Sequence, residues 1–372
     1  MKIVVAANSF KGSLSAREAS DAAAEGLRAV FPDAEVTVTP IGDGGEGTAE
    51  AVTAAGGGTM VSAATVDPLG RPIIASYGIL PDHTAVIDLA AASGLTLLRA
   101  DERNPMLTST FGTGRLIVDA FGRGCGNIVL CIGGSATNDA ATGLLSALGF
   151  DFLDAEGRRL RPCGAVLGEI TSIIPSEAFK GTFSVAADVT NPFYGPRGAA
   201  RVYGPQKGAD AAMVERLDAG MRNFAAAVER QTGIDLQDIP GSGAAGGTGG
   251  AMAALLGARL INGAEMVIKL ENLKEKIEGA ALVITGEGCI DSQTLSGKGP
   301  YAVMKVARSL DVPVLGIGGR IEDARQLLRA GFSALCQTTP ENMPLERAMR
   351  PEVARENIIS AIKSASLQQL IR

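Results

Sequence analysis

At 372 residues the chain has room for two or three domains and for a core that needs no disulfide or metal to fold. Its net charge of −6 argues against nucleic acid or an anionic membrane as the main partner, and its single histidine, His83, excludes HExxH and any zinc site built on two or three histidines. No apolar run reaches the ~18–20 residues of a membrane span. The five cysteines, none in a CxxC pair, read as reduced thiols of a cytosolic protein.

The apolar run Ile3–Ala7 predicts a buried parallel strand rather than a signal peptide. A polar loop, Asn8–Leu14, follows. Ser15 and Glu18 then form a capping-box signature ahead of a helix whose alanines and leucine repeat at helical spacing. A second strand is expected over Glu35–Pro40, then a glycine loop at 42–47 and a short helix to about Ala55. The texture changes there. Strands at Val61–Val66, Ile73–Leu80 and Thr84–Leu89, joined by tight turns, read as an antiparallel meander, which places a domain boundary near residue 60. A helix near Gly114–Phe121 leads to a strand at Ile128–Ile132, and another strand at Phe183–Ala187 precedes a helix over about 211–231. Six glycines fall within Gly241–Gly250. From about residue 280 strands and helices alternate again: strands at Ala281–Thr285, Val312–Ile317 and Ala334–Thr338, a polar loop over Gly286–Gly299, and a last helix over about 352–368. The simplest architecture is α/β. Residues 1–60 and 280–372 form a parallel-sheet domain from both chain ends, residues 61–279 form an inserted mixed α/β domain, and ligands enter a cleft between them.

Several loops share one design: each follows an apolar strand, carries glycine, and mixes hydroxyls with charged residues. Ligands of open α/β sheets sit beyond the carboxyl ends of the strands, and glycine loops feeding helix N-termini favour anions. The expected ligand is therefore a phosphate. Lys11 lies between Ser9 and Ser13 in the first such loop, a compact cation suited to a phosphate or carboxylate. Asp43 and Glu46 share a glycine loop, Asp188 ends a strand, and Glu287 and Asp291 bracket another loop. These acids suit Mg²⁺, which takes one or two carboxylates plus waters and phosphates, though each aspartate also fits a turn or helix cap. Ser135, Thr137 and Asn138 could donate to a substrate oxygen or cap the next helix. Lys207 could reach an anion or sit in a plain turn, and Arg320 shares that ambiguity. GxGxxG occurs at 42–47 and 241–246 without a complete dinucleotide-binding unit, and no GxxxxGK[ST] exists.

Eight segments in order resemble the type I (bacterial) glycerate kinases: Asn8–Ser15 (NSFKGSLS), Asp43–Thr48 (DGGEGT), Asp67–Pro72 (DPLGRP), Gly133–Asp139 (GGSATND), Asp188–Pro192 (DVTNP), Gly204–Ala209 (GPQKGA), Pro240–Gly247 (PGSGAAGG) and Thr285–Thr294 (TGEGCIDSQT). The resemblance implies transfer of a phosphoryl group from ATP, with Mg²⁺, to D-glycerate, giving 2-phosphoglycerate. It also implies a flavodoxin-like domain with a second α/β domain inserted, in a monomer or homodimer. On that reading Gly243, Gly246, Gly286, Glu287, Gly288 and Lys298 meet the nucleotide. Asp43, Glu46 and Asp188 hold Mg²⁺. Ser9, Lys11, Ser135, Thr137, Asn138 and Lys207 meet the substrate, and Asp291, Lys11 and Asp188 act in catalysis, with Asp291 orienting the attacking hydroxyl. The chain departs from the pattern at Asn8, where Asp is frequent, and at Cys289, where Arg is frequent, so Asn8 is given no catalytic part. A kinase for another small hydroxy acid or for the 3-hydroxyl, a nicotinamide-dependent oxidoreductase and a non-catalytic solute-binding protein are the rival readings. Stabilisation by ATP, a change in NADH fluorescence, or stabilisation by glycerate without ADP production separates them.

Overall fold

The computed structural model describes residues 1–371 except Asp43, Glu46, Glu177 and Glu271. The chain divides into two compact units, Met1–Asp43 with Asn262–Arg372, and Gly44–Ile261. In chain order the strands are β1 (Lys2–Ala7), β2 (Glu35–Val38), β3 (Thr59–Val66), β4 (Pro72–Ile79), β5 (Thr84–Asp88), β6 (Asn127–Cys131), β7 (Asp151–Leu153), β8 (Ser172–Ile174), β9 (Thr182–Ala186), β10 (Arg259–Ile261), β11 (Leu282–Ile290), β12 (Val314–Ile321) and β13 (Ala334–Gln337).

The unit made from both chain ends holds a five-stranded, wholly parallel sheet in the order β13-β12-β11-β1-β2. Counted within the unit, the order is 2-1-3-4-5, that of flavodoxin-type doubly wound sheets, and its topological switch point lies between β1 and β11. Ile3, Val5, Leu282, Ile284, Leu315 and Ile317 fill the core against the helices Ala16–Val30 and Pro351–Ser364. The first helix begins as its sequence predicts: the Ser15 side chain accepts from Glu18 N, and the Glu18 carboxylate accepts from Ser15 N at 2.8 Å.

The inserted unit carries a six-stranded sheet in the order β10-β9-β6-β5-β4-β3 and a separate β7-β8 pair. The expected meander is present, with β3-β4 and β4-β5 antiparallel, whereas β5, β6, β9 and β10 run parallel. Buried Tyr77, Ile87, Leu130, Val185, Leu116, Leu144, Phe193 and Phe224 belong to its core.

Two sequence expectations need correction. The unit boundaries fall at 43/44 and 261/262, not near 60 and 280. The helix Thr48–Ala55 packs on β3, β4 and β5, and the Asp88 carboxylate at the end of β5 accepts from Gly47 N (2.8 Å) and Ala49 N (3.0 Å), which ties that helix to the inserted unit. The helices Gly263–Leu270 and Leu273–Ile277 pack on Gly299–Arg308 and so belong to the other unit. Second, residues 286–290 are strand rather than loop: β11 continues beside β12 as far as the Ile290–Ile321 pair. Gly286 is glycine because a Cβ there would lie 2.0 Å from the Ile317 carbonyl oxygen; the residue marks close strand contact, not a turn.

Candidate functional site

In the doubly wound unit, chemistry is expected past the carboxyl ends of β1, β11, β12 and β13. The loop after β1 is a tight turn closed by Phe10 N and Leu14 N bonding across it. Asn8 is buried, donates its N–H to the Gly286 carbonyl (2.8 Å) and accepts from Ser9 N through its side chain (2.7 Å). Lys11 is exposed in this turn, Ser9 is half-buried, and Ser13 Oγ is buried with no partner among the described residues. Lys11, Ser13, Gly288, Gly319 and Arg320 line one cavity of about 510 Å³ at these strand ends.

Further along β11, Glu287 is 7% exposed, accepts from the Thr294 hydroxyl (2.8 Å) and lies 3.9 Å from the Lys298 ammonium. Lys298 stands at the N-cap of Gly299–Arg308. Asp291 caps the short helical turn Ser292–Ser296, accepting from Gln293 N (2.8 Å) and Thr294 N (3.3 Å). Its observed duty is thus a cap, one of the two readings the sequence allows.

In the inserted unit, a lysine is buried past the end of β6. Gly204–Gly208 forms a single 3₁₀ turn, Pro205–Lys207, opened by Pro205 and closed by Gly208 in the left-handed region. That turn carries Lys207 inward until the residue is 2% exposed, and its ammonium donates to Ser135 Oγ (2.8 Å) and the Thr137 carbonyl (2.6 Å). Burial pushes the Lys207 ammonium down to about 7, against the pull of the Asp139 charge. Asp139 is itself fully buried. Its Oδ2 accepts from Thr110 N (2.7 Å), Thr110 Oγ1 (2.8 Å) and Gly143 N (3.2 Å), while burial pushes its carboxyl up.

The Gly133–Asp139 loop is fixed from several sides. Leu95 N donates to Gly134 O, Ala136 N donates to Ser93 O, and the Thr108 hydroxyl donates to Ala136 O. Thr137 Oγ1, Asn138 Oδ1, Asp139 Oδ1 and Ser242 Oγ are all buried without a hydrogen-bond partner among the described residues. A buried polar atom left unpaired costs about 1–3 kcal/mol, so four in one unit ask for a cause beyond packing. Ala140, Ala141 and Ala245 all have positive φ, which costs roughly 1–2 kcal/mol per alanine. Such strain concentrates at ligand sites.

The glycine-rich run 241–250 differs from expectation. Most of it lies in the helix Ala244–Leu256, whose residues 245–247 leave helical geometry. Gly243 N donates to the Asn191 carbonyl (3.0 Å), so that N–H is occupied within the fold. Gly246 sits at φ +68°, where a Cβ would lie 2.2 Å from the Thr137 carbonyl oxygen. Gly246 thus packs under the Thr137–Asn138 loop, whereas Gly243 packs against the Asn191 and Pro192 carbonyls. Asp188 is half-buried just past β9. Asp43 and Glu46 lie outside the described residues. Among those described, no group of three or more His, Cys, Asp or Glu could hold a metal ion.

The structure therefore brings Ser135, Thr137 and Lys207 together, packs Gly246 under Thr137, and places Lys11 and Gly288 on one cavity. Sequence reading missed the burial of Lys207, the buried Asp139 and the capping Asp88. A signal for Asp139 was present, since it closes the Gly133–Asp139 motif.

Parallel strands that end in polar, glycine-bearing loops place this chain among the open α/β proteins that bind small ligands at their strand ends. More particularly, the chain belongs to the glycerate kinase family, whose model matches residues 3–368. A Bacillus subtilis glycerate kinase is 42% identical over the whole of both chains. An Escherichia coli glycerate 2-kinase is 43% identical over 98% of this chain and 97% of its own. A Salmonella typhimurium LT2 crystal structure described as glycerate kinase 2 superposes with a TM-score of 0.84 at 40% identity, covering 99% of this chain and 98% of that one.

Proposed function

We propose that the chain transfers the γ-phosphoryl group of ATP to the 2-hydroxyl of D-glycerate, with Mg²⁺, giving 2-phosphoglycerate and ADP. The observation that carries this reading is the buried Lys207 ammonium, held between Ser135 Oγ and the Thr137 carbonyl in a loop with orphaned polar atoms, in a chain of this family. An ammonium stripped of water binds a carboxylate strongly, and Ser135, Thr137 and Asn138 bring the hydroxyl and amide groups that orient a small hydroxy acid. Phosphoryl transfer asks a protein mainly to position reactants and to stabilise charge. Bound Mg²⁺ would neutralise the nucleotide phosphates. The hard oxygens of Asp188 suit it, since Mg²⁺ needs only one or two carboxylates beside phosphate and water.

Asp291 is assigned the orientation of the attacking hydroxyl. The test is Asp291→Asn, because asparagine caps a helix about as well as aspartate and leaves the fold intact. A kcat lower by about 10²-fold or more is expected; a near-normal rate leaves Asp291 as a cap alone. The activity itself is checked by ADP release with D-glycerate, L-glycerate, glycolate and D-lactate as acceptors. D-Glycerate should give the highest kcat/KM. Equal or better use of another acid would move the assignment to that acid.

A further inference from the structure

The residues that line the cavity at the strand ends of the doubly wound unit fall into two chemically unlike sets. One is polar and cationic: exposed Lys11, which forms no ion pair among the described residues, Arg320, and the unpartnered Ser13 hydroxyl. Among the described residues, Arg320 makes an exposed ion pair with Glu322 (2.9 Å), which is weak enough to exchange for a ligand. The other set is apolar and includes Phe10, Leu345 and Met349. Leu345 is 75% exposed and Met349 37%, so apolar surface at this rim lies open to water although Phe10 beneath it is 4% exposed.

A volume of about 510 Å³ falls within the ~300–1,000 Å³ of small-molecule sites. It is far more than a three-carbon acid fills, and a free polyphosphate would have no use for the apolar set. A ligand with a flat apolar end and an anionic end matches both sets. Glu341, which also lines the cavity, is placed wrongly for a phosphate but suitably for accepting hydrogen bonds from ribose hydroxyls or an exocyclic amine.

We propose that this cavity is the adenosine-end site of the nucleotide: the base lies on Phe10, Leu345 and Met349, and the phosphates run toward Lys11 and Arg320. This assignment rests on reading the chain as an ATP-dependent kinase, and it places the nucleotide away from Gly243 and Gly246.

The test is calorimetric binding of ADP, and separately of inorganic tripolyphosphate, to the full chain and to Leu345→Ser and Met349→Gln. Both positions are solvent-facing enough to accept polar residues, and unchanged thermal unfolding confirms that each variant folds. The expected result is a Kd for ADP raised roughly ten-fold in each variant, the scale of one lost apolar contact, with the Kd for tripolyphosphate unchanged. Two results overturn the assignment: an ADP Kd unchanged in both variants, or ADP and tripolyphosphate weakened alike. Glycerate-dependent ADP release at saturating ATP, measured on the wild-type chain, keeps this separate from the kinase reading. If release persists while the variants bind ADP normally, the kinase stands and the cavity assignment falls. If release is absent while ADP binding shifts as expected, the cavity stands and the acceptor assignment falls.

Discussion

Lys11 and Lys207 each sit in a short glycine-bounded turn, and the sequence treats them alike. The structure does not. Lys11 is exposed and lines a cavity. Lys207 is 2% exposed and fixed by two hydrogen bonds. The difference is one of preorganisation. An exposed lysine gives up water and rotamer freedom when it meets an anion, whereas a buried one has already lost both during folding, at a cost in stability recorded by its lowered proton affinity. The doubly wound unit therefore offers an adaptable cation, and the inserted unit a fixed one.

Replacing each lysine by methionine breaks that comparison most sharply. Lys207→Met keeps the volume and removes the burial penalty of the ammonium but leaves the Thr137 carbonyl without its donor, two effects that oppose each other in stability. Its kcat with D-glycerate should nevertheless fall by about 10²–10³-fold, the usual loss for one preorganised donor. Lys11→Met should change kcat less and the KM for ATP more. Steady-state kinetics beside thermal unfolding will show the split. Similar losses from both variants would mean that burial confers no advantage.

Asp139 comes next, because it holds the loop that receives Lys207. Asp139→Ala leaves Thr110 N, Thr110 Oγ1 and Gly143 N without an acceptor and should cost about 3 kcal/mol or more in urea unfolding. A loss below about 1 kcal/mol would show that water replaces the carboxylate.

The pH dependence follows from the lysine. Its folded value is about 7 against 10.5 for an ordinary lysine, so between these pH values the unfolded chain binds the extra proton and stability rises with pH. The burial penalty is complete below about 7 and gone above 10.5. Subtracting Lys207→Met cancels other groups that titrate there. The variant should therefore gain most over wild type at pH 6, and the gap should close toward pH 10. A gap independent of pH would contradict a depressed lysine.

The smallest effect belongs to the doubly wound unit, at the start of its first helix. Ser15→Ala removes a capping box and should cost about 1 kcal/mol with kcat unchanged. Denaturant midpoints and rates measured together check it.

Much of this fold was legible because period and punctuation agreed. The continuous apolar run of β1, the turns between β3, β4 and β5, and the Ser15–Glu18 box each point to what the structure shows. The failures share a cause: residues whose local preference is overruled by distant neighbours. Gly286 and Gly288 read as a loop, yet β12 lies close enough to keep them in the strand. The helix Thr48–Ala55 looks like the end of the first unit, and its packing on β3, β4 and β5, with the Asp88 carboxylate 41 and 39 residues from Gly47 and Ala49, claims it for the second. The sequence leaves Lys207 open between an anion contact and a plain turn because nothing within five positions announces that Ser135 and Thr137 will surround it.

The most direct test of the account is phosphorus NMR of a mixture of the protein, ATP, Mg²⁺ and D-glycerate. A 2-phosphoglycerate resonance should grow in step with ADP, and its growth should slow by about 10²-fold with Lys207→Met. ADP formed without any phosphoglycerate, or a 3-phosphoglycerate signal as the first product, would contradict it.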